Sequence, residues 1–282
     1  MSFEVEIPGA GAPILFLPGS YSTARAWAGV MERLEGRRRI SVSLPGYGAT
    51  PERRGPDGGT MAEMLDWLGE VADRIGTPFH LVGHSFGGQI ALAAALAGGL
   101  PLLSLVSFEG NPIYGRQAEA DFPWRTETAE MLARFSRAVA AGDPEAPALI
   151  IDYWSRPGTF AALPGQVRAF CAAGAATNLL DWKAAQTFTP EFGDFADVRT
   201  PCTICRGSLA NPAIVDVSAA LVAAIPDSRL KVVEGADHFL ISTHPEDCAA
   251  IVAAQLHRVE AAAGETPPYA GPGLGGQGQT PP

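Results

Sequence analysis

Phe79-His-Leu-Val82, Gly83-His84-Ser85-Phe86-Gly87 and Gly88-Gln-Ile-Ala-Leu-Ala-Ala-Ala-Leu-Ala97 change character twice within 19 residues. The first piece is an apolar run of strand length, and the last is Ala-rich with strong helix propensity. Between them a serine sits in the pattern G-x-S-x-G. Lacking Cβ atoms, Gly83 and Gly87 let neighbouring backbone approach closely at a sharp strand-to-helix turn. Such a turn exposes Ser85 at the carboxyl end of its strand. It also leaves the Phe86 N–H at the open N-terminus of the helix, free to stabilise negative charge.

The same alternation extends outward in both directions. Ile14-Leu15-Phe16-Leu17 is a short apolar run that stops at Pro18-Gly19, and a helix is expected over about 22–34. Ile40-Ser-Val42-Ser-Leu44 alternates and ends at Pro45-Gly46. Thr60-Met-Ala-Glu63 reads as a capping box opening a helix whose Met64, Leu65, Leu68, Val71, Ala72 and Ile75 share one face. Leu102–Phe108 is a further buried-type strand. This order predicts an α/β fold, with a mostly parallel sheet flanked by helices.

Regular alternation stops at residue 112. From 112 to 195 the pattern is helical and broken by six prolines, and these 84 residues hold 12 of the 23 aromatics. A small helical insertion needs bulky side chains to build a core, and some of these are expected to face an apolar pocket. Trp124 and Trp154 are the candidates for substrate contact. Strand-helix alternation then resumes with Cys202–Arg206, a helix over about 214–225, Leu230–Val233, the loop Gly235-Ala-Asp-His238 and a last helix from Pro245. The expected organisation is a first core part over 1–111, a mainly helical cap over 112–195, a second core part over 196–260, and a flexible Gly/Pro-rich tail over 261–282.

Composition narrows the function classes. With 47% hydrophobic and 18% charged residues in 282, the chain can bury a large core. No stretch approaches the ~18 apolar residues of a membrane span. A net charge of −10 disfavours nucleic acid. The short basic runs Arg37-Arg38-Arg39 and Arg53-Arg54 lack interleaved aromatics and read as solvated loops. The N-terminus has neither the basic nor the apolar region of a signal peptide, and four cysteines suit reduced thiols, so a cytoplasmic protein is expected. Cys202-Thr-Ile-Cys205 resembles a redox or metal pair, but residues three apart in a strand face opposite sides. Buried strand cysteines are therefore expected, and no metal. The sequence carries no signal for an oligomeric state.

His238 is the candidate base, 153 residues after Ser85 and in the loop after the last strand. An imidazole near its ordinary pKa can take a serine proton and return it to a leaving group. The other four histidines lie in the turn (His84), in a strand (His80) or around the final helix (His244, His257).

Residues 1–260 resemble the α/β-hydrolase fold. Gly83–Gly87 matches its nucleophile turn, Gly235-Ala-Asp-His-Phe239 its late histidine loop, and Leu44-Pro-Gly-Tyr-Gly-Ala-Thr50 a loop after an early strand. The insertion from Pro112 is similar to its cap. The resemblance implies a Ser, acid, His order in the chain. The acid departs from the family. Its usual Asp follows the strand ending at Arg206-Gly207, yet this chain reads Ser208-Leu-Ala-Asn211-Pro212 there and has no carboxylate before Asp216. Glu109 closes the strand Leu102–Phe108, a position that carries the acid in haloalkane dehalogenases. Glu109 leads, with Asp216, Asp237 or no charged partner as alternatives.

The family's frequent His-Gly after the early strand is Pro18-Gly19 here, which makes the Ser20 N–H the second candidate oxyanion donor beside that of Phe86. Tyr21 is placed for substrate contact, and Trp27 for either substrate or core. No dinucleotide fingerprint follows a strand, and no P-loop lysine is present, so no cofactor is expected. The implied activity is a serine hydrolase acting through an acyl-enzyme on an ester, lactone or related carbonyl bond of a small, largely apolar molecule. Carbon–carbon bond hydrolysis, lyase or cyclase chemistry in the same pocket, and ligand binding without turnover are the alternatives.

Overall fold

Strands β1 (Val5–Ile7), β2 (Ala10–Leu17), β3 (Arg37–Ser41), β4 (Phe79–His84), β5 (Leu102–Phe108), β6 (Cys202–Gly207) and β7 (Ser228–Val233) form one sheet in the order β1-β3-β2-β4-β5-β6-β7. β1 runs antiparallel to β3, and every other pairing is parallel. These elements come from a computed structural model that describes residues 3–55, 58–110, 112–116, 122–262 and 264.

A 3-10 turn, Ala24–Trp27, leads into α1 (Ala28–Glu32), followed by α2 (Met61–Ile75) and α3 (Ser85–Ala97). Between β5 and β6 the chain forms α4 (Pro123–Ala140), α5 (Ala148–Trp154), α6 (Thr159–Ala162), α7 (Gly165–Ala173) and α8 (Ala175–Thr187). The last helices are α9 (Pro212–Ala224), α10 (Leu240–Thr243) and α11 (Pro245–Ala262).

Side chains alternate across each strand, so both faces of the sheet are apolar and covered. Leu15, Leu17, Leu81, Leu105 and Ile204 pack on one face with α2 and α3. Ile14, Phe16, Val82, Val106 and Phe108 pack on the other with α1 and α11. Cys202 belongs to the first cluster and Cys205 to the second, and all four cysteines are buried and free. Trp27 is wholly buried among Phe16 and Phe108, with ring centroids 5.2 and 5.8 Å away, and belongs to the core.

Thr60 and Glu63 close the expected capping box, and Gly76 ends α2 in the left-handed conformation (φ 70°). Three boundaries differ from expectation. The segment expected as one helix over 22–34 is a 3-10 turn plus a short helix. β3 stops at Ser41, after which the Ser43 hydroxyl accepts the Ala24 N–H. Residues 261 and 262 still belong to α11, and the expected tail beyond 264 lies outside the described residues.

The basic runs are not simple solvated loops. Arg37 pairs with Glu260 (Nη2–Oε2 2.6 Å), Arg39 donates to the Met31 carbonyl at 2.6 Å, and all three residues of these contacts' charged groups are buried. Arg54 is buried against Glu52 and Asp181. A guanidinium offers five donors, so sequence charge alone does not distinguish a solvated arginine from one paired in the interior.

Candidate active site

The parallel sheet sends the ends of β2, β4 and β5 and the loop after β7 to the same edge. Among the described residues, three non-glycine residues have positive φ: Tyr21 (56°) after β2, Ser85 (52°) after β4 and Glu109 (49°) after β5. All three lie at this edge, where backbone strain is held in place by tight packing. A Cβ at Gly87 would fall 2.3 Å from the Pro18 carbonyl oxygen, and one at Gly19 2.9 Å from Ser85 Cβ. Only glycine lets the loop after β2 and the start of α3 come this close.

His238 Nε2 lies 3.0 Å from Ser85 Oγ, and its Nδ1 lies 2.6 Å from Glu109 Oε2. A carboxylate can only accept, so Nδ1 carries the hydrogen and Nε2 is left to accept from the serine hydroxyl. The second oxygen of Glu109 accepts the Gly207 N–H at 2.8 Å, and the residue is 1% exposed. The competing acids point elsewhere. Asp216 accepts from Trp124 Nε1 at 2.9 Å, and Asp237 accepts from Ser155 Oγ at 2.6 Å. Asn211, near the family's usual acid position, caps α9 by accepting the Ala213 N–H at 2.9 Å.

His84 carries no role that the sequence alone points to. Its Nε2–H donates to the His238 carbonyl at 2.8 Å, so this ring holds the loop that carries His238. Burial, and then the neighbouring His238, push its pKa down to about 3, which keeps it neutral.

Helix α3 begins at Ser85 with no side-chain cap, so its first N–H groups, Phe86 among them, face the site without an intrahelical partner. Ser20 and Phe86 both line a cavity of about 550 Å³ over Ser85. Its walls are mainly apolar, with Ile150, Ile151, Trp154, Trp182 and Phe239 among them. Trp154 stacks on His238 with centroids 5.9 Å apart, and Tyr21 also borders the cavity.

Trp124 does not line the cavity. It is buried against Phe122, with its indole N–H spent on Asp216, so its expected substrate contact is corrected to a packing role between α4 and α9.

Asp181 was not anticipated. On α8, its carboxylate accepts from Ser20 Oγ (2.6 Å), Tyr47 Oη (2.7 Å) and Arg54 Nη1 (2.7 Å). Burial raises its pKa, opposed by these partners. Asn178, Asp181, Trp182 and Ala185 recur at helical spacing and all line the cavity. That periodicity is visible in the sequence, but Asn and Asp on a helix ordinarily face water. Among the described residues, no group of three or more His, Cys, Asp or Glu is arranged to hold a metal ion.

A serine at a strained strand-to-helix turn, on a mostly parallel sheet and beside a late-loop histidine, defines the α/β-hydrolase class. The chain belongs to the alpha/beta hydrolase family, whose model matches residues 14–251. It is 34% identical over 128 residues to a pimeloyl-[acyl-carrier protein] methyl ester esterase of Nitrosomonas europaea, covering 45% of this chain and 47% of that protein. It is 32% identical over 161 residues to a 2-succinyl-6-hydroxy-2,4-cyclohexadiene-1-carboxylate synthase of Salmonella agona, covering 56% and 59% respectively. The chain thus matches about half the length of these curated relatives. Among solved structures, MenH from S. aureus superposes with a TM-score of 0.74 at 19% identity, covering 92% of this chain and all of that one.

Proposed function

We propose that this protein is a cofactor-independent carboxylic ester hydrolase. Ser85 is the nucleophile, His238 the general base and acid, and Glu109 the acid that orients and stabilises the imidazole. The observation that carries this reading is the continuous relay from Ser85 Oγ to His238 to Glu109, at 3.0 and 2.6 Å, opening onto a largely apolar cavity.

Ser85 Oγ attacks the ester carbonyl carbon while His238 Nε2 takes its proton. The carbonyl oxygen becomes an oxyanion, received by the N–H groups of Phe86 and Ser20. His238, now imidazolium beside the Glu109 carboxylate, returns the proton to the alcohol as the C–O bond breaks. Water then repeats the sequence on the acyl-enzyme and releases the acid. Helices α4–α8 act as the cap that closes the cavity, with Tyr21 and Trp154 against the substrate. Four buried free thiols support a reducing compartment such as the cytoplasm.

Similarity to a synthase keeps a second reading in view, namely elimination or rearrangement in the same cavity. A carboxylate-bearing substrate calls for cations, and among the described residues Arg25 is the one Lys or Arg on the cavity wall. Ester hydrolysis of a substrate lacking carboxylates fits that wall better.

The test is turnover of p-nitrophenyl esters from acetate to octanoate by wild type and Ser85→Ala. Wild type is expected to hydrolyse the medium-chain members, and the variant to lose at least ~10³-fold in kcat. Equal activity in the variant would overturn the assignment.

A further inference from the structure

We propose that the cavity contains a polar subsite, formed by Gln89, Asn178 and Tyr21, that takes an uncharged hydrogen-bonding group of the substrate, a hydroxyl or an amide. The proposal rests on the ester-hydrolase reading and deepens it.

Gln89 Nε2, Asn178 Oδ1 and the Tyr21 hydroxyl are each buried with no hydrogen-bond partner, and all three residues line the cavity over Ser85. Gln89 is 4% exposed and Asn178 2% exposed, so both are shielded from bulk water. Leaving one such atom unpaired disfavours a state by roughly fivefold to a hundredfold, and a ligand that pairs it recovers that factor. A purely apolar substrate leaves all three unanswered.

Their placement is consistent with one subsite. Gln89 lies four residues after Ser85 on α3, one turn along the same helix face. Asn178 lies one turn into α8, four residues after Gly174. Tyr21 packs at that same turn, with its ring 3.5 Å from where a Gly174 Cβ would sit. Helix α3 packs against α8.

The three groups also specify the ligand's chemistry. Gln89 offers a donor, Asn178 an acceptor, and Tyr21 either. Burial, with Cys171 and Asp181 nearby, holds the Tyr21 phenol protonated. A hydroxyl or an amide both donates and accepts, and so answers both kinds of partner. A carboxylate has no hydrogen for Asn178 Oδ1 and would approach the Asp181 carboxylate. An ammonium has no acceptor for Gln89. Asp181 is already engaged by Ser20, Tyr47 and Arg54, so it presents no free charge to a ligand.

The experiment compares ester pairs matched in length. In the acyl series, p-nitrophenyl ω-hydroxyalkanoates are set against methyl-terminated alkanoates one carbon longer in name and equal in heavy atoms, alongside the ω-carboxy counterparts. In the alcohol series, ω-hydroxyalkyl butanoates are set against matched alkyl butanoates. At one chain length in one series, wild type is expected to prefer the hydroxy ester by at least about tenfold in kcat/KM, with the carboxy ester below both. Asn178→Leu and Gln89→Leu are each expected to lower that ratio at least about fivefold. A ratio near one at every length in both series, or a ratio unchanged in both variants, would overturn the subsite.

Titrating the same pairs into Ser85→Ala protein gives a Kd ratio independent of turnover. Loss of all esterase activity with the Kd preference intact would sink the hydrolase reading alone. Turnover without any preference would sink the subsite alone.

Discussion

Replacing Glu109 by Gln changes few atoms, yet the structure predicts a large effect. One oxygen of Glu109 is held by the Gly207 N–H at 2.8 Å, and the other meets His238 Nδ1 at 2.6 Å. In the Gln variant, the Gly207 donor retains the amide oxygen, so the amide nitrogen must face His238. Flipping the amide would set donor against donor in a buried site, at a cost of about 1–3 kcal/mol. With an N–H facing it, Nδ1 has to accept, which moves the imidazole hydrogen to Nε2. The ring then presents a hydrogen to Ser85 instead of a lone pair, and the imidazolium also loses its counter-charge. Tautomer reversal of this kind lowers kcat by about 10⁴ in serine proteases, or about 5 kcal/mol of barrier. For Glu109→Gln we expect a fall in kcat of about 10³–10⁴ with KM within about threefold, because the carboxylate touches histidine and not substrate. Steady-state p-nitrophenyl ester hydrolysis, beside a thermal melt to establish folding, measures it. A folded variant within about tenfold of wild-type kcat would refute the reasoning and reopen the question of the acid.

Three further outcomes follow from the packing. His80 and His84 are held neutral by burial, with pKa values of about 4 and about 3, against an ordinary value of 6.5. Between those values the unfolded chain binds more protons, so stability falls as pH drops below about 6.5, by up to ~1.4 kcal/mol per pH unit for each ring. Urea midpoints of wild type and His80→Gln between pH 7.5 and 4.5 should show a shallower slope in the variant; identical slopes would contradict it. Gly87→Ala places a Cβ 2.3 Å from the Pro18 carbonyl oxygen and should cost about 3 kcal/mol or more, read as a lowered Tm. Asp181→Ala and Ser20→Ala each break the 2.6 Å link between α8 and the loop that carries Ser20, the proposed second oxyanion donor. Both should lower kcat, and the double variant should be little worse than the more impaired single one. Full additivity would show that the two residues act separately.

The strand-to-helix turn at Ser85 was legible because one short segment carries a strand, two glycines, a serine and a helix, leaving little choice of turn. The histidine that meets Ser85 was legible because His238 sits in a loop after a strand pattern, whereas the other histidines fall on or beside regular elements. Glu109 could be singled out only by combining its place at a strand end with the missing carboxylate around Asn211. The structure explains that gap, since Asn211 is occupied as a helix cap. Charge pairing was much less legible. Nothing local to Arg37 points to Glu260, 223 residues away, and Asp181 meets Ser20 across 161 residues. Trp124 and Trp154 look alike as aromatics in a helical stretch, and only tertiary packing sends one to Asp216 and the other onto His238.

The most direct measurement is intact-mass analysis after treatment with a fluorophosphonate, followed by peptide mapping of the adduct. Wild type is expected to gain one phosphonyl group, mapped to Ser85, while Ser85→Ala gains none and Glu109→Gln reacts far more slowly. An adduct on another residue, or equal labelling of Ser85→Ala, would contradict the assignment of Ser85 as the activated nucleophile.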